Sequence, residues 1–364
     1  MQIKKYISII IILLSSVYGC TELLSQSKKH ITIRNTSVAK LFENNNSLNI
    51  TITTNLDYLI NDIGRNRTKH QSLLSYFDSD SVFHQLPIDI KTRGKFRREK
   101  NNCSFPPLKI YFFESNIGST IFEDIDELKL VTHCRNRKQY EQNVIKEYLV
   151  YKLWELTSEY SFHVRLLNIK YVDIANPNNY EKHIGFFIED KSSLEQMHNG
   201  VFVDAMNVHQ DKTNRFEMTK FVLFQFMIGN TDWSVPNQHN ALLFKKSFKQ
   251  PPIAIPYDFD FCGLVNAPYA KPQPKLGIKL VTDRMYRGFP RSSGELQMSI
   301  NIFNILKKDY WSLIDNTPFL DNNSKKEMKD YIEEFYVIIN NEKYINRNIK
   351  RHERSYPKDF KTSI

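Results

Sequence analysis

The sequence predicts an α+β protein of two lobes, β-rich toward the N-terminus and mainly helical toward the C-terminus. Short alternating, β-branched runs recur between positions 48 and 189 and are joined by short turns. One long helical pattern, Tyr140–Leu156, interrupts them. Beyond Phe216 the periodicity is helical, apart from one pair of short strands. The chain has 364 residues, 41% of them hydrophobic, which supplies a sizeable core and argues against wholesale disorder. A net charge of +10 offers a surface to phosphate, anionic lipid or nucleic acid, or is a solvated basic face. No Lys/Arg run is long enough for a nucleic-acid arm and no zinc-finger spacing occurs, so nucleic acid is not an expected partner.

Taken in order, Lys4 and Lys5 precede an apolar run, Tyr6–Leu14, and a small-residue stretch ending at Cys20. This is a secretory signal, and the run is too short to span a bilayer comfortably. Val17-Tyr18-Gly19-Cys20 resembles the bacterial lipoprotein box. That resemblance implies removal of residues 1–19, lipidation of Cys20, and a membrane-anchored protein on the extracytoplasmic side of a bacterial cell envelope. An ordinary signal peptide is the alternative. Residues 20–47 are polar and read as a tether.

Residues 48–190 form the β-rich lobe. Leu48–Thr54 is a strand, Leu56–Ile63 a short helix, and Val82–Arg93 and Leu108–Phe113 are strands around a basic turn. Glu127–Thr132, Phe162–Val172 and His183–Glu189 complete a sheet expected to be antiparallel, because its connections are short. In the long helix Val144, Tyr148 and Tyr151, with Ile145, Leu149 and Leu153, mark the buried face. Cys103 and Cys134 each lie beside a strand and can pair in an oxidising compartment, or stay buried thiols like Cys262.

Residues 191–345 form the helical lobe. Residues 190–214 read as irregular and Ala267–Leu276 as a Pro-rich loop. Ser292-x-x-Glu295 and Ser324-x-x-Glu327 read as capping boxes for helices near 295–314 and 325–341. Residues 346–364 read as a frayed basic tail.

The functional signal lies in Gly229–Gly263. An apolar helix, Phe216–Ile228, leads into a loop carrying Asn230 and Asp232. Ala241–Phe244 and Ile253–Pro256 then read as a hairpin. Antiparallel pairing places Asn240, before the first strand, beside Asp258, after the second. Two carboxylates and an amide oxygen at one mouth suit a hard cation such as Mg²⁺. His239 reads as a packing or hydrogen-bonding residue.

The ordered set Gly229-Asn230-Thr231-Asp232, His239-Asn240 and Tyr257-Asp258-Phe259-Asp260 resembles atypical branches of the protein-kinase-like superfamily: CotH-like spore-coat kinases, HipA-type kinases and secretory-pathway kinases. The segments RGKFRR, FPPL, LVTHC and GNTDW…HN…PYDFD are also similar to a set of uncharacterised bacterial lipoproteins. The kinase resemblance implies a two-lobed kinase-like fold, Mg²⁺ and ATP as cofactors, and transfer to a protein or glycan hydroxyl. It implies Asp232 as catalytic aspartate, Asn240 and Asp258 as metal ligands, and Asp260 as a second metal candidate. Such a fold needs a strand lysine held by a helix glutamate, and Lys129 with Glu147 fill those places, with Lys109 and Glu141 in reserve.

The chain departs from the kinase pattern in lacking a G-x-G-x-x-G loop. The turn beginning at Arg93 can hold phosphate through arginine forks, or is an exposed basic turn. Asp283, Arg284, Arg287 and Arg291 either bind an anionic substrate or brace the site loop. A non-catalytic pseudokinase or a metal-stabilised binding module remains the alternative. A metal-dependent hydrolase ranks behind, for want of a His-rich ligand cluster or a Ser–His pair.

Overall fold

The computed structural model describes residues 38–356. Cys20, the signal segment and residues 357–364 lie outside the described residues. Among the described residues, no helix is long and apolar enough to cross a membrane.

The N-terminal part is built on strands β1 (Leu48–Thr54), β2 (His70–Phe77), β3 (Phe83–Thr92), β4 (Leu108–Phe112), β5 (Glu127–Val131), β6 (Val164–Asp173) and β7 (Asn176–Ile188). On β1, Leu48, Ile50, Ile52 and Thr54 alternate inward, as a half-buried strand demands. The spatial order β1-β2-β3-β4-β5-β7-β6 closes on itself. The closing seam is parallel, with Ile50 opposite Ile169 and Ile52 opposite Tyr171. The sheet expected to be antiparallel is therefore a closed barrel with one parallel pairing, and closure leaves it no unpaired edge. Ile52, Leu74, Ile90, Ile110, Ile169 and Phe187 fill its interior.

Strand β2 escapes sequence reading because Ser72 and Ser75 interrupt its apolar alternation. Both are buried, and Ser72 donates to Thr54 Oγ1 at 2.8 Å. The supposed tether also enters the fold. Helix α1 (Lys40–Glu43) buries Leu41 and Phe42, which join the barrel core. Helix α2 (Leu56–Asn61) is capped by Asn55, and α3 (Glu114–Ile117) adds one turn after β4.

Helix α4 (Lys138–Thr157) lies between barrel and helical part, packing on β6 and β7 on one side and on the C-terminal helices on the other. Contacts on both sides bury even its polar Gln142, Asn143, Lys146, Glu147 and Glu155. Its apolar residues belong to the core of the helical part.

That part contains α5 (Lys191–His198), β8 (Val201–Val203), α6 (Arg215–Met227), β9 (Ala241–Lys245), β10 (Ile253–Pro256), α7 (Ser293–Asn316), α8 (Asn322–Ile339) and α9 (Glu342–Asn348). The segment read as irregular thus holds α5 and β8, and β8 joins the hairpin in a sheet ordered β10-β9-β8. The Ser292–Glu295 capping box is complete. The second is not: Asp321 caps α8 by accepting from Ser324 N at 2.9 Å, which leaves Ser324 inside the first turn. The tail is docked as far as it is described. Ile349 is buried, Arg354 N donates to Gly288 O at 2.8 Å, and Tyr356 Oη donates to Asp211 Oδ2 at 2.6 Å. Cys103 and Cys134 form a disulfide with Cα atoms 4.7 Å apart, and Cys262 is a buried free thiol.

Candidate active site

Helix α6 delivers the chain to Gly229, whose φ of +63° is a conformation glycine adopts without a steric penalty. A Cβ here would lie 2.0 Å from the Tyr331 hydroxyl. Gly263 N donates to Gly229 O at 3.1 Å and Leu264 N to Ile228 O at 3.0 Å, so the Asp232 loop is stitched to the segment that follows Asp260. Asn230, 1% exposed, closes an Asx turn by accepting from Asp232 N at 2.9 Å.

The Asp232 carboxylate is held by three side chains. Gln273 Nε2 and His239 Nε2 each lie 3.0 Å from Oδ1, and Asn240 Nδ2 donates to Oδ2 at 3.1 Å. Asn240 Nδ2 also donates to the Asp232 carbonyl at 2.7 Å, so only its Oδ1 can meet a cation.

The hairpin pairs Ala241 with Pro256, and Tyr257 N donates to Asn240 O at 3.3 Å. Asn240 and Asp258 therefore flank one mouth, both with positive φ (50° and 60°), a region short polar side chains tolerate. Asp258 N donates to Tyr151 Oη of α4 at 2.8 Å, while its side chain is exposed. Asp260 is buried and accepts from Tyr269 Oη at 3.0 Å.

Cations approach from the barrel. Arg97 is buried, donates to the Thr132 carbonyl, and lies 3.8 Å from Glu147 Oε2. Arg93 donates through Nε to Leu108 O at 3.1 Å. The turn weighed as exposed thus turns two arginines inward. The Lys129 ammonium lies 5.7 Å from the Tyr257 ring centroid. The ion pair of Glu147 runs to Arg97 rather than to Lys129. The reserves are engaged elsewhere, Lys109 with Glu127 at 2.5 Å and Glu141 with His183 at 2.8 Å.

The electrostatics follow from this crowding. Burial, then Asp258, push the Asp260 carboxyl up to about 7, against the pull of Arg97. Burial, then Asp260, hold Glu147 well above the usual carboxylate range, with Arg97 opposing. Burial and neighbouring Arg93 bring Lys129 down to about 8, while Asp258 pulls the other way. Glu147, Asp258 and Asp260 thus share one electrostatic neighbourhood with Arg93, Arg97 and Lys129. Carboxyls pushed up by burial and by one another are what a divalent cation would stabilise in the ionised form, so the donor set fits a hard metal.

No family model matches the chain, and no curated protein matches it. Among solved structures, the Golgi casein kinase is similar at 10% identity over 86% of this chain and 78% of that one, with a TM-score of 0.32. The Golgi casein kinase with Mn/ADP bound is similar at 11% identity over 88% and 80%, with a TM-score of 0.32. Likeness this low carries no argument about fold or activity.

The second basic segment braces the loop. Arg287 donates to the carbonyls of Thr231 and Trp233 and lies over the Trp233 ring. Arg284 bonds the Tyr331 carbonyl and Glu334, and Arg291 pairs with Asp211 at 2.7 Å. Asp283 accepts from the backbone of Lys279 and Leu280. Sequence reading missed Tyr151, Tyr269 and Gln273, and weighed Arg97 only as part of the turn beginning at Arg93. Tyr151 was read only as core, and Tyr269 and Gln273 lie in a Pro-rich loop with no periodicity to aim them. For Arg97 the one available signal was the basic turn already weighed through Arg93.

Proposed function

We propose that this chain is a kinase-like phosphotransferase of the bacterial cell envelope that takes Mg–ATP between barrel and hairpin and phosphorylates a protein or glycan hydroxyl. The observation that carries the reading is the crowding of Asp258, Asp260 and Glu147 against Arg93, Arg97 and Lys129. Asp258 and Asp260, with Asn240 Oδ1, would hold Mg²⁺, which supplies charge neutralisation on the phosphates. Arg93 and Lys129 are the free ends for phosphate oxygens. Asp232, fixed by Gln273, His239 and Asn240, takes the acceptor hydroxyl proton. The acceptor oxygen forms a bond to the γ-phosphorus as the bond to the bridging β–γ oxygen breaks, and ADP leaves.

The Cys103–Cys134 disulfide supports an oxidising compartment. The lipid anchor at Cys20 and the membrane as partner rest on the N-terminal sequence alone.

Calorimetric titration with Mg–ATP tests the site. Wild type should bind and Asp258→Ala should not; absence of binding by both sinks the reading. Asp232→Asn should retain binding while transfer falls by about 10²-fold or more. One observation favours a non-catalytic module instead: Tyr269 and Gln273 already bond Asp260 and Asp232. Binding by wild type without transfer to any hydroxyl or to water would establish that second reading.

A further inference from the structure

A second polar cluster lies in the barrel wall, outside the set formed by Asp232, Asn240, Asp258 and Asp260. His183 and Glu181 are two residues apart on β7 and so share a face. His133 follows β5 and stacks on His183, ring centroids 3.5 Å apart. His183 Nε2 donates to Glu181 Oε2 at 3.1 Å and Nδ1 to Glu141 Oε1, on the first turn of α4, at 2.8 Å. One ligand atom each from His133, Glu181 and His183 fall within 4.8 Å of one another.

The surroundings leave this cluster short of a partner. His133 is 2% exposed and its Nδ1 has no hydrogen bond. Tyr171, opposite Glu181 across β6 and β7, is also buried with its hydroxyl unbonded. A buried imidazole nitrogen without a partner is costly, and a bound cation would offset that cost.

We propose that His133, His183 and Glu181 form a binding site for a borderline divalent cation of the Zn²⁺ class. Two imidazoles and one carboxylate are a donor set such an ion takes, with water in the fourth position. Tetrahedral coordination brings donor atoms to about 3.3 Å from each other. Rotation of the half-exposed Glu181 side chain brings in its oxygen, and the His133 ring must turn out of its near-parallel stack on His183 so that both in-plane lone pairs meet one ion. Imidazole ligates a metal in its neutral form. His183 surrenders its Nε2 proton to solvent when the metal binds. Its Nδ1–H to Glu141 then fixes the ring as an outer carboxylate does in histidine metal sites.

The bound ion would tie β7, the end of β5 and the start of α4 at one point. Thr132, next to His133, accepts from Arg97, so this tie adjoins the arginine that meets Glu147.

Cobalt titration of the full chain tests the site, since tetrahedral Co²⁺ with nitrogen ligands gives intense visible bands that oxygen-only coordination lacks. One equivalent of Co²⁺ should develop these bands in wild type and in Asp258→Asn alike, and one equivalent of Zn²⁺ should bleach them. Glu181→Gln, at a half-exposed side chain that does not threaten folding, should weaken Co²⁺ at least ten-fold. Glu141→Gln should weaken it by about 10–100-fold. His133→Phe, which keeps an aromatic ring against His183, should abolish the bands. Absence of bands in folded wild type, or bands unchanged in Glu181→Gln and His133→Phe, overturns the proposal. Loss of bands in Asp258→Asn would assign them to the cleft instead. Failure of Mg–ATP binding leaves this test untouched.

Discussion

Asp260 donates nothing and accepts one bond from Tyr269, yet keeps its proton up to about 7, against an ordinary value of 3.8. Below the ordinary value both folded and unfolded carboxyls are protonated, and the group is neutral to stability. As pH rises toward 7 the folded state binds more protons than the unfolded one, so metal-free stability falls through this window. Thermal melts in chelator from pH 5 to pH 8 should show that decline, and Asp260→Asn should make it shallower, leaving the part that belongs to Glu147. An equally steep decline in the variant would locate the titration elsewhere. Mg²⁺ should raise the melting temperature of wild type most at the upper end of the range.

At this same scale the sequence named Asp232, Asn240, Asp258 and Asp260 because hairpin pairing is local and puts them near one mouth. The partner of Glu147 was not legible, since the choice between Lys129 and Arg97 depends on how the turn at Arg93–Arg98 folds back over the barrel.

Among the elements, the loop after α6 is the most constrained. Gly229→Ala would place a methyl group into the Tyr331 hydroxyl at a backbone angle that L side chains rarely adopt. The expected loss exceeds about 1 kcal/mol in urea denaturation, with Mg–ATP affinity falling alongside. A loss confined to stability would mean the loop does not set the position of Asp232.

Helix α7 offers a second case. Glu295 closes the capping box and bonds Arg215 of α6; that bond first, and those of Ser292, draw its carboxyl down to about 2. A lowered acid stabilises fully above its ordinary value of 4.5 and loses that contribution as pH falls toward 2. Arg215→Ala should therefore lower the melting temperature at pH 7 and matter little near pH 2.5, read by parallel melts. Elements with local signatures were legible: the complete capping box, the hairpin and the long helix all rest on residues within a few turns of one another. Helix α8 shows the limit, because Asp321 offered a better cap three residues before Ser324.

For the whole molecule, the two-part order was legible from periodicity, whereas barrel closure was not. The seam joins Ile50 to Ile169, and nothing in either strand announces a partner so distant in sequence. The Cys103–Cys134 bond ties the turn bearing Arg97 to the end of β5. Its reduction should cost about 2–4 kcal/mol of stability. It should also weaken Mg–ATP binding, because Arg97 then loses its anchored approach to Glu147. Calorimetry with oxidised protein and with a Cys103→Ser/Cys134→Ser variant checks both effects, and unchanged affinity would detach the disulfide from the cleft.

The loop between Ala267 and Arg291 has a consequence in time. Tyr269 and Gln273 bond two of the acids that a metal nucleotide and an acceptor would use. Arriving molecules must wait until the chain releases its own side chains. In rapid mixing, the observed rate of Mg–ATP association would level off at a ceiling set by that release rather than climb with concentration. Tyr269→Phe would lift the ceiling.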